Sequence, residues 1–217
     1  MKVYRLQAER EYKAVLFDMD NTLYTHDEYA RTQIDLPVER LAQLRGKTFE
    51  EMNAQISEYR KNWAASHGGK AISLGNTLLA FGVSIEETVI WRKELYRPED
   101  YLVTDKKLHS VLEKLASRFT LAVVTNNPVS VAQRTFSVLG VDDILQKIVG
   151  LDTCYRSKPD KIILEKAAEI CNVEPQNCIS VGDRYDIDIA LPLELGMGAV
   201  LVDGVDDVYT LADLFAK

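Results

Sequence analysis

Short apolar runs recur along the chain, and each of them ends in polar residues. The clearest run covers positions 14–17 and is followed by Asp18. Three similar runs and one weaker run occupy positions 121–124, 178–181, 199–202 and 147–150. Each has the length of a strand and is apolar at consecutive positions, which indicates burial on both faces. The pattern therefore predicts a parallel sheet that is covered by helices.

Helical patterns lie between these runs. Apolar residues recur at helical spacing over 108–115, and again over 162–170. Alternating strands and helices are typical of an α/β doubly wound fold. In such a fold the ligand binds beyond the carboxyl ends of the strands. Asp18, Thr125 and Asp183 follow three of the predicted strands, so we expect them to lie at the ligand site.

The region from 25 to 104 has a different pattern, with no convincing strand. Its apolar positions predict helices, which cover 40–44, 49–63, 74–81 and 85–95. Ser84 precedes an acidic first turn and is expected to cap the last of these helices. The region is thus predicted to be an all-helical block inserted after the first strand. Helices that merely extend the core would give the same pattern.

Composition and charge narrow the class of protein. The 217 residues are 47% hydrophobic and 27% charged, which fits one large soluble domain or a core with a smaller insertion. The net charge is −7 and the pI is about 5.1. A nucleic-acid polymer is therefore not an expected partner, because phosphate backbones are bound by concentrated lysine and arginine. A small phosphorylated ligand is still compatible, since one basic pocket suffices for it.

The chain carries no signature of export or membrane insertion. Its amino-terminal stretch, MKVYRLQAEREYK, is too charged for a signal peptide, and no apolar run approaches the roughly 18 residues of a membrane helix. The cysteines show neither a CxxC pair nor zinc-site spacing; they are Cys154, Cys171 and Cys178. We expect a reduced, cytoplasmic protein that is a monomer or homodimer and has no membrane partner.

Two acids follow the first apolar run, with one methionine between them. Asp18 at a strand end can serve as a nucleophile or as a ligand for a hard cation. Strand alternation, or the following turn, brings Asp20 to the same side. Close carboxylates repel, so either a cation neutralises them or one of them holds a proton. Taken alone, however, the pair is also compatible with an ordinary strand-to-loop turn.

Four segments in order narrow this interpretation. They are FDMDNTLY, VVTNNP, YRSKPD and VGDRYDIDIA, which begin at positions 17, 123, 155 and 181. Together they resemble the motifs of the haloacid dehalogenase-like hydrolase superfamily. The resemblance implies a Rossmann-like catalytic core, formed by residues 1–24 and 105–217. It also implies that residues 25–104 are a helical cap over the site.

The resemblance implies a role for each motif. Asp18 would attack a phosphorus atom and form an aspartyl-phosphate, and Asp20 would protonate the leaving alcohol and later activate water. Thr125 would hold phosphate oxygens, and Lys158 would neutralise the transferring group. Lys158 precedes Pro159, which we expect to begin a helix with Asp160 beside it, so that the lysine is fixed at a rigid helix start.

A magnesium ion is also implied by the resemblance. Its ligands would be Asp18, the backbone carbonyl of Asp20, and Asp183. Asp188 would support them, directly or through water. Asp186 would instead bond the motif lysine or face solvent. The expected cofactor is Mg²⁺, which prefers oxygen ligands and retains waters.

Substrate contacts are expected from the motifs and from the helical block. The predicted substrate-binding residues are Thr22, Asn126, Arg60 and Asn76. Further polar or aromatic candidates, which could equally serve packing or lie on the surface, are Tyr24, Trp63, His67 and Lys70. The segments LGNTLLAFGVS and RPEDYLVTDKKLHSVLEKL resemble the pyrimidine 5′-nucleotidase-like branch of the superfamily. Leu74 stands where that branch often has a tyrosine.

We therefore expect a magnesium-dependent phosphatase of a small phosphorylated metabolite, such as a nucleoside 5′-monophosphate. Alternatives are a phosphoglycolate or sugar phosphatase, a sugar phosphomutase, and a catalytically silent binding protein. Asp20 argues against a dehalogenase, because the haloacid dehalogenases of this superfamily lack an acid there. A phosphonatase would need a Schiff-base lysine in the cap, and no spacing singles one out among Lys47, Lys61 and Lys70.

Overall fold

The centre of the fold is a six-stranded sheet with the strand order β1-β6-β5-β2-β3-β4. The computed structural model describes residues 1–6 and 10–215, so positions 7–9 and 216–217 of the predicted core lie outside it. The strands are β1 Lys2–Tyr4, β2 Ala14–Phe17, β3 Thr120–Val124, β4 Ile148–Val149, β5 Cys178–Gly182 and β6 Gly198–Leu201. All five predicted runs are strands of this sheet.

The register of the parallel strands places the polar segments side by side. Strand β2 pairs in parallel with both β3 and β5, and Phe17 is level with Val123 and Val181. Strand β4 pairs in parallel with β3, and β6 pairs in parallel with β5. The residues that follow β2, β3 and β5 therefore leave the sheet at one edge, as the sequence predicts.

Strand β1 is the exception to the parallel order. It pairs antiparallel with β6 at the edge of the sheet, with Lys2 opposite Leu201. No pattern in the sequence predicts it, because three residues that include a lysine and are mostly exposed do not form an apolar run. The sheet is consequently mixed, and the predicted parallel sheet is correct for the other five strands.

Both faces of the sheet are covered, as expected for a doubly wound α/β fold. Val15 and Phe17 point into one buried cluster, whereas Ala14 and Leu16 point into a second cluster on the opposite face. This alternation follows from the two-residue side-chain period of a strand. The helices that follow residue 104 are α5 Lys106–Ala116, α6 Val129–Leu139, α7 Leu151–Cys154, α8 Lys161–Cys171, α9 Ala190–Glu194, α10 Val205–Val208 and α11 Leu211–Leu214. The predicted fold class is confirmed.

Four α-helices lie between β2 and α5, and a short 3₁₀ helix at Pro98–Asp100 follows them. The α-helices are α1 Asp27–Leu44, α2 Phe49–Ser66, α3 Leu74–Ala80 and α4 Ile85–Leu95. Their apolar faces share a buried cluster that includes Leu41, Met52, Leu78 and Trp91. The described residues from 25 to 104 contain no strand of the sheet, in agreement with the all-helical pattern. The division into core and cap at these limits remains our prediction.

Helix α1 begins earlier than the sequence predicted. It was expected over 40–44, but it starts at Asp27, where the His26 ring accepts a hydrogen bond from the Tyr29 amide. Pro37 lies inside the helix and weakens the sequence pattern, since proline lacks the amide that a helix interior uses. Ser84 caps α4 as predicted: its hydroxyl accepts from the Glu87 amide at 3.1 Å. No described helix meets the length and hydrophobicity of a membrane span.

Candidate active site

Asp18 is the first residue after β2, at the centre of the sheet edge. Its amide donates to the Val181 carbonyl at 2.7 Å, so its backbone is fixed by the neighbouring strand. The side chain is only 6% exposed. Its Oδ1 lies 2.6 Å from Lys158 Nζ, and its Oδ2 lies 3.5 Å from the Thr22 hydroxyl. The sheet thus presents a buried carboxylate that is paired with one lysine.

All three donors of the Lys158 ammonium group are used. They contact Asp18 Oδ1 at 2.6 Å, Asp188 Oδ1 at 2.7 Å and the Val124 carbonyl at 2.7 Å. Burial lowers the pKa of Lys158, but Asp18 and Asp188 outweigh this effect and raise it above its ordinary value. The lysine is therefore a fixed positive charge between two buried carboxylates.

The prediction for the segment after Lys158 needs a correction. Pro159 does not begin the helix, because α8 starts at Lys161 and Asp160 caps it through a 2.8 Å bond from the Ile162 amide. Lys158 is fixed instead by its own amide, which donates to Asn126 Oδ1 at 2.6 Å. Its position depends on this loop contact as well as on its side-chain partners.

Three carboxylates converge at the sheet edge. Asp18, Asp183 and Asp188 each offer one oxygen, and these oxygens lie within 4.8 Å of one another. Burial raises the pKa of Asp18 to about 7; Lys158 opposes the shift and the nearby acids add to it. Burial and Asp188 likewise raise the pKa of Asp183 to about 6. Crowded carboxylate oxygens with excess negative charge fit a hard divalent cation.

The two acids after Asp183 have different surroundings. Asp188 is buried, and its carboxylate accepts from Lys158 and, at 3.1 Å, from the Arg184 amide. A Cβ at Gly182 would lie 2.4 Å from the Asp188 Cβ, so only glycine admits this approach. Asp186 accepts from the Ala71 amide at 3.0 Å, in the loop between α2 and α3. Asp188, not Asp186, therefore contacts the motif lysine.

The Asp20 carboxylate is held separately by two donors. Tyr24 donates its hydroxyl to Oδ1, and Asn127 Nδ2 donates to Oδ2 at 2.8 Å. Asn127 in turn accepts from Arg92 Nη1 at 3.0 Å. Sequence reasoning missed Arg92 and Asn127. Asn127 stands inside the VVTNNP motif and could have been found there, whereas nothing in the spacing of α4 marks Arg92.

A cavity of about 200 Å³ opens at Asp18. Asp20, Asn126, Asp183 and Arg92 are among the residues that line it. It is therefore bounded by the ends of β2, β3 and β5 and by α1 and α4, two of the four inserted helices.

Thr22, which was predicted to bind the substrate, and Thr125, which was predicted to hold phosphate oxygens, are buried next to this cavity. Thr22 is fully buried and contacts Asp18. Thr125 is 1% exposed, and its hydroxyl accepts from the Asn127 amide at 3.0 Å. A hydroxyl that accepts a bond keeps its own proton to donate. Both side chains support the loops that form the site.

The other two predicted substrate residues lie elsewhere. Arg60 donates to the Ile72 carbonyl at 3.1 Å and so anchors the loop between α2 and α3. Asn76 lines a neighbouring cavity of about 440 Å³, together with Trp63 and Lys70. Among the described residues that line the Asp18 cavity, neither Arg60 nor Asn76 occurs. The structure thus brings the motif residues together and leaves these two apart from them.

Comparison with known proteins agrees with this geometry. The sequence model of the haloacid dehalogenase-like hydrolases matches residues 12–196. The chain belongs to the haloacid dehalogenase-like hydrolase family. The predicted resemblance is confirmed, and the residues that carry it are those that the fold brings to the edge of the sheet.

Two kinds of curated relative match this haloacid dehalogenase-like protein over very different lengths. A phosphoglycolate phosphatase of Colwellia psychrerythraea is 32% identical over 79 residues, which are 36% of this chain and 35% of that protein. The match to this relative and to a second phosphoglycolate phosphatase thus spans about a third of their length. An acid sugar phosphatase of Staphylococcus aureus is 28% identical over 96% of this chain and 92% of its own length.

Solved structures show that the fold is shared within the haloacid dehalogenase-like family. A phosphatase from Thermococcus onnurineus aligns with a TM-score of 0.60 and 20% identity, over 94% of this chain and 97% of its own. A 2-haloacid dehalogenase from Pseudomonas syringae aligns almost equally well, with a TM-score of 0.58, 19% identity, and coverage of 94% and 98%. The fold is therefore compatible with either chemistry, and the site residues must distinguish them.

Proposed function

We propose that this chain is a magnesium-dependent phosphatase that hydrolyses a small phosphate monoester through an aspartyl-phosphate at Asp18. The observation that carries this proposal is the buried contact between Asp18 and Lys158, 2.6 Å from Oδ1 to Nζ, where two further carboxylates converge. A carboxylate nucleophile and a phosphate ester are both anionic, so attack requires positive charge at the site. The lysine and a divalent cation supply it.

In the first step, a carboxylate oxygen of Asp18 attacks phosphorus, and the bond from phosphorus to the alcohol oxygen breaks. Asp20 donates a proton to the departing oxygen, which leaves as an alcohol. Lys158 stays protonated, since the paired carboxylates raise its pKa, and it balances the charge on the transferring group. We assign phosphate contacts to Thr125 and Asn126, in the loop after β3.

In the second step, Asp20 acts as the base. As a carboxylate it takes a proton from a water molecule, whose oxygen attacks the phosphorus of the aspartyl-phosphate. The bond between phosphorus and the Asp18 oxygen breaks, inorganic phosphate is released, and Asp18 regains its free carboxylate. One acid can serve both steps because the proton that it gives in the first step is recovered in the second.

The residues present fit a magnesium ion. We assign Asp18, the main-chain carbonyl of Asp20, and Asp183 as its ligands. Asp188 supports them, because its own oxygens already accept bonds from Lys158 and the Arg184 amide. When bound, magnesium neutralises phosphate oxygens and polarises the phosphorus that they surround. Oxygen ligands of this kind are the ones that the ion prefers.

The size of the Asp18 cavity supports a small substrate. About 200 Å³ is less than the roughly 300–1,000 Å³ that is usual for pockets of drug-sized ligands. The similarity to phosphoglycolate and acid sugar phosphatases supports a short phosphorylated acid or a sugar phosphate. That the substrate is a nucleoside 5′-monophosphate remains a prediction, which the panel of phosphate esters described below also tests. Action in the cytoplasm, as a monomer or homodimer, likewise remains a prediction.

A panel of phosphate esters tests this proposal. We expect phosphate release from p-nitrophenyl phosphate and from some of the short phosphorylated metabolites when Mg²⁺ is present, and none after chelation. Asp18→Asn should abolish release, because an amide cannot act as the nucleophile. The exposed Asp142→Asn is the matched control and should retain full activity.

The same panel distinguishes the alternatives. Isomerisation of a hexose phosphate without phosphate release would identify a phosphomutase, and halide release from a haloacid would identify a dehalogenase. Either result would contradict the proposal. The absence of turnover by folded protein across the whole panel would favour a catalytically silent binding protein.

A further inference from the structure

We propose that Arg92 and Asn127 are positioning residues that aim the Asp20 carboxylate, and that they make its placement depend on the seating of α4. The inference rests on the function proposed above, because it assumes that Asp20 is the general acid. Arg92 Nη1 donates to Asn127 Oδ1 at 3.0 Å, and Asn127 Nδ2 donates to Asp20 Oδ2 at 2.8 Å. A helix of the inserted block is thereby connected to Asp20 by a chain of two hydrogen bonds.

The chemistry of arginine fixes the direction of this chain. A guanidinium group has donors and no acceptor, whereas an amide side chain has one end of each kind. The oxygen of Asn127 must therefore face Arg92, which leaves its NH₂ group facing Asp20. Without Arg92 the amide could turn, and its oxygen would then face a carboxylate. Arg92 thus determines that Asp20 meets a donor.

Arg92 is itself held firmly. It is only 6% exposed, its Nη1 also donates to the Asn126 carbonyl at 2.6 Å, and its guanidinium lies 5.7 Å from the centre of the Tyr96 ring. Its Nε is buried with no hydrogen-bond partner among the described residues. Buried donors without a partner are rare in folded proteins. The side chain thus donates to both Asn126 and Asn127 in the loop after β3.

A second chain holds the other oxygen of Asp20. Gln33 Nε2 donates to the Tyr24 hydroxyl at 3.0 Å, and that hydroxyl donates to Asp20 Oδ1. The main-chain oxygen of Gln33 accepts from Tyr96 at 2.5 Å, next to the end of α4. Because the Gln33 amide nitrogen can only donate, the Tyr24 proton is left for Asp20. Each carboxylate oxygen thus has one donor, and its plane is fixed.

The consequence concerns catalysis more than stability. A general acid contributes only when its proton lies on the path to the leaving oxygen, and the contribution is typically about 10²–10⁴-fold. Gln33 is in α1 and Arg92 is in α4, so both chains begin in the inserted helices. A displacement of these helices would release the Asp20 side chain, whereas the backbone of Asp18 stays fixed by its bond to β5. Protonation of the leaving group is therefore coupled to the seating of the helical block.

Leaving-group dependence tests the role of the two residues. Alkyl phosphates need the proton of the general acid, whereas p-nitrophenyl phosphate has a leaving group that needs little protonation. We expect Arg92→Ala and Asn127→Ala to lower kcat/KM, which reports the step in which the alcohol leaves, about 10–100-fold for alkyl phosphates and about 3-fold or less for p-nitrophenyl phosphate. Arg92→Lys keeps a donor and should restore part of the loss. Arg118→Ala, at an exposed position just after α5, is the matched arginine control and should leave the ratio of the two rates unchanged.

Equal losses of kcat/KM for both kinds of ester would overturn the inference. Crystal structures of the wild type, Arg92→Lys and Arg92→Ala give a readout that does not depend on activity. We expect the Asp20 carboxylate to have one orientation in the wild type and in Arg92→Lys. In Arg92→Ala we expect it to be displaced or to occupy two conformations. An unmoved Asp20 in Arg92→Ala would overturn the positioning role even if the phosphatase assay succeeds. An inactive wild type with the expected displacement would instead overturn the proposed function alone.

Discussion

At the scale of single residues, the site carries more negative than positive charge. Asp18, Asp183 and Asp188 converge around one lysine, and burial raises the pKa of Asp18 to about 7. A carboxyl group whose pKa is higher in the folded protein than in the unfolded chain binds its proton more tightly when folded. Stability without metal therefore falls as the pH rises from about 4 to about 7. Unless a proton or a cation neutralises it, this cluster of carboxylates lowers the stability of the folded protein.

Replacement of the nucleophile should therefore stabilise the metal-free protein. At about pH 8 and with a chelator, we expect Asp18→Asn to raise the free energy of unfolding by about 1–3 kcal/mol, because it removes an excess buried charge. Lys158 keeps Asp188 and the Val124 carbonyl as partners. Urea denaturation monitored by circular dichroism measures the difference.

The pH dependence of this effect is its internal control. At about pH 4 the wild-type carboxyl is protonated in the folded state, so the two proteins should have nearly equal stability. The exposed Asp142→Asn should show no comparable gain at either pH. A variant at Asp18 that is less stable than the wild type at about pH 8 would contradict the charge argument.

The same residues show what the sequence could predict. Asp18, Lys158 and Asp183 were identified because their motifs follow strands, and parallel strands that end together bring their next residues together. Arg92 and Asn127 act through contacts between segments that are far apart in sequence. Their roles depend on how α4 packs against the loop after β3, and helical periodicity carries no signal for such a contact.

At the scale of elements, one hydrogen bond connects the inserted helices to the turn after β5. Asp186, in the π-helical turn Tyr185–Ile189, accepts from the Ala71 amide at 3.0 Å. Asp186→Ala removes this bond, whereas Asp186→Asn keeps an acceptor oxygen. A hydrogen bond to a charged group contributes about 1.5–3 kcal/mol, so we expect hydrogen exchange at the Ala71 amide to accelerate about 10-fold or more in the alanine variant.

The asparagine variant provides the comparison for this experiment. Its exchange at Ala71 should stay within a few-fold of the wild type, because its amide oxygen can accept the same bond. Mass spectrometry of peptides that cover the loop between α2 and α3 measures both variants. Identical exchange in the wild type and the alanine variant would show that the bond does not restrain the loop.

The element boundaries illustrate which patterns a sequence can reveal. Helices α3 and α4 were predicted within a residue of their observed limits, since their apolar positions repeat and a serine caps α4. Strand β1 was missed because it is short and half exposed at the sheet edge. The early start of α1 was missed because its first turns are polar and Pro37 interrupts the pattern.

At the scale of the whole molecule, a net charge of −7 does not favour an anionic substrate, so recognition must be local. Four carboxylates lie in or next to the cavity, those of Asp18, Asp20, Asp183 and Asp188. They outnumber by one the cationic side chains there, which are Lys158, Arg92 and Arg184. One divalent cation would reverse that balance. The family and the fold class were predictable from four ordered motifs. The substrate was not, because specificity depends on the shape of a cavity that the inserted helices help to form.

The central claim is that Asp18 temporarily carries the phosphoryl group. The most direct measurement is to quench a reaction with acid during turnover, reduce the protein with borohydride and sequence its peptides by mass spectrometry. Borohydride converts an aspartyl-phosphate to homoserine. The account predicts homoserine at position 18, and none there in Asp18→Asn or without substrate. Homoserine at another position, or unmodified Asp18 in a protein that releases phosphate, would contradict it.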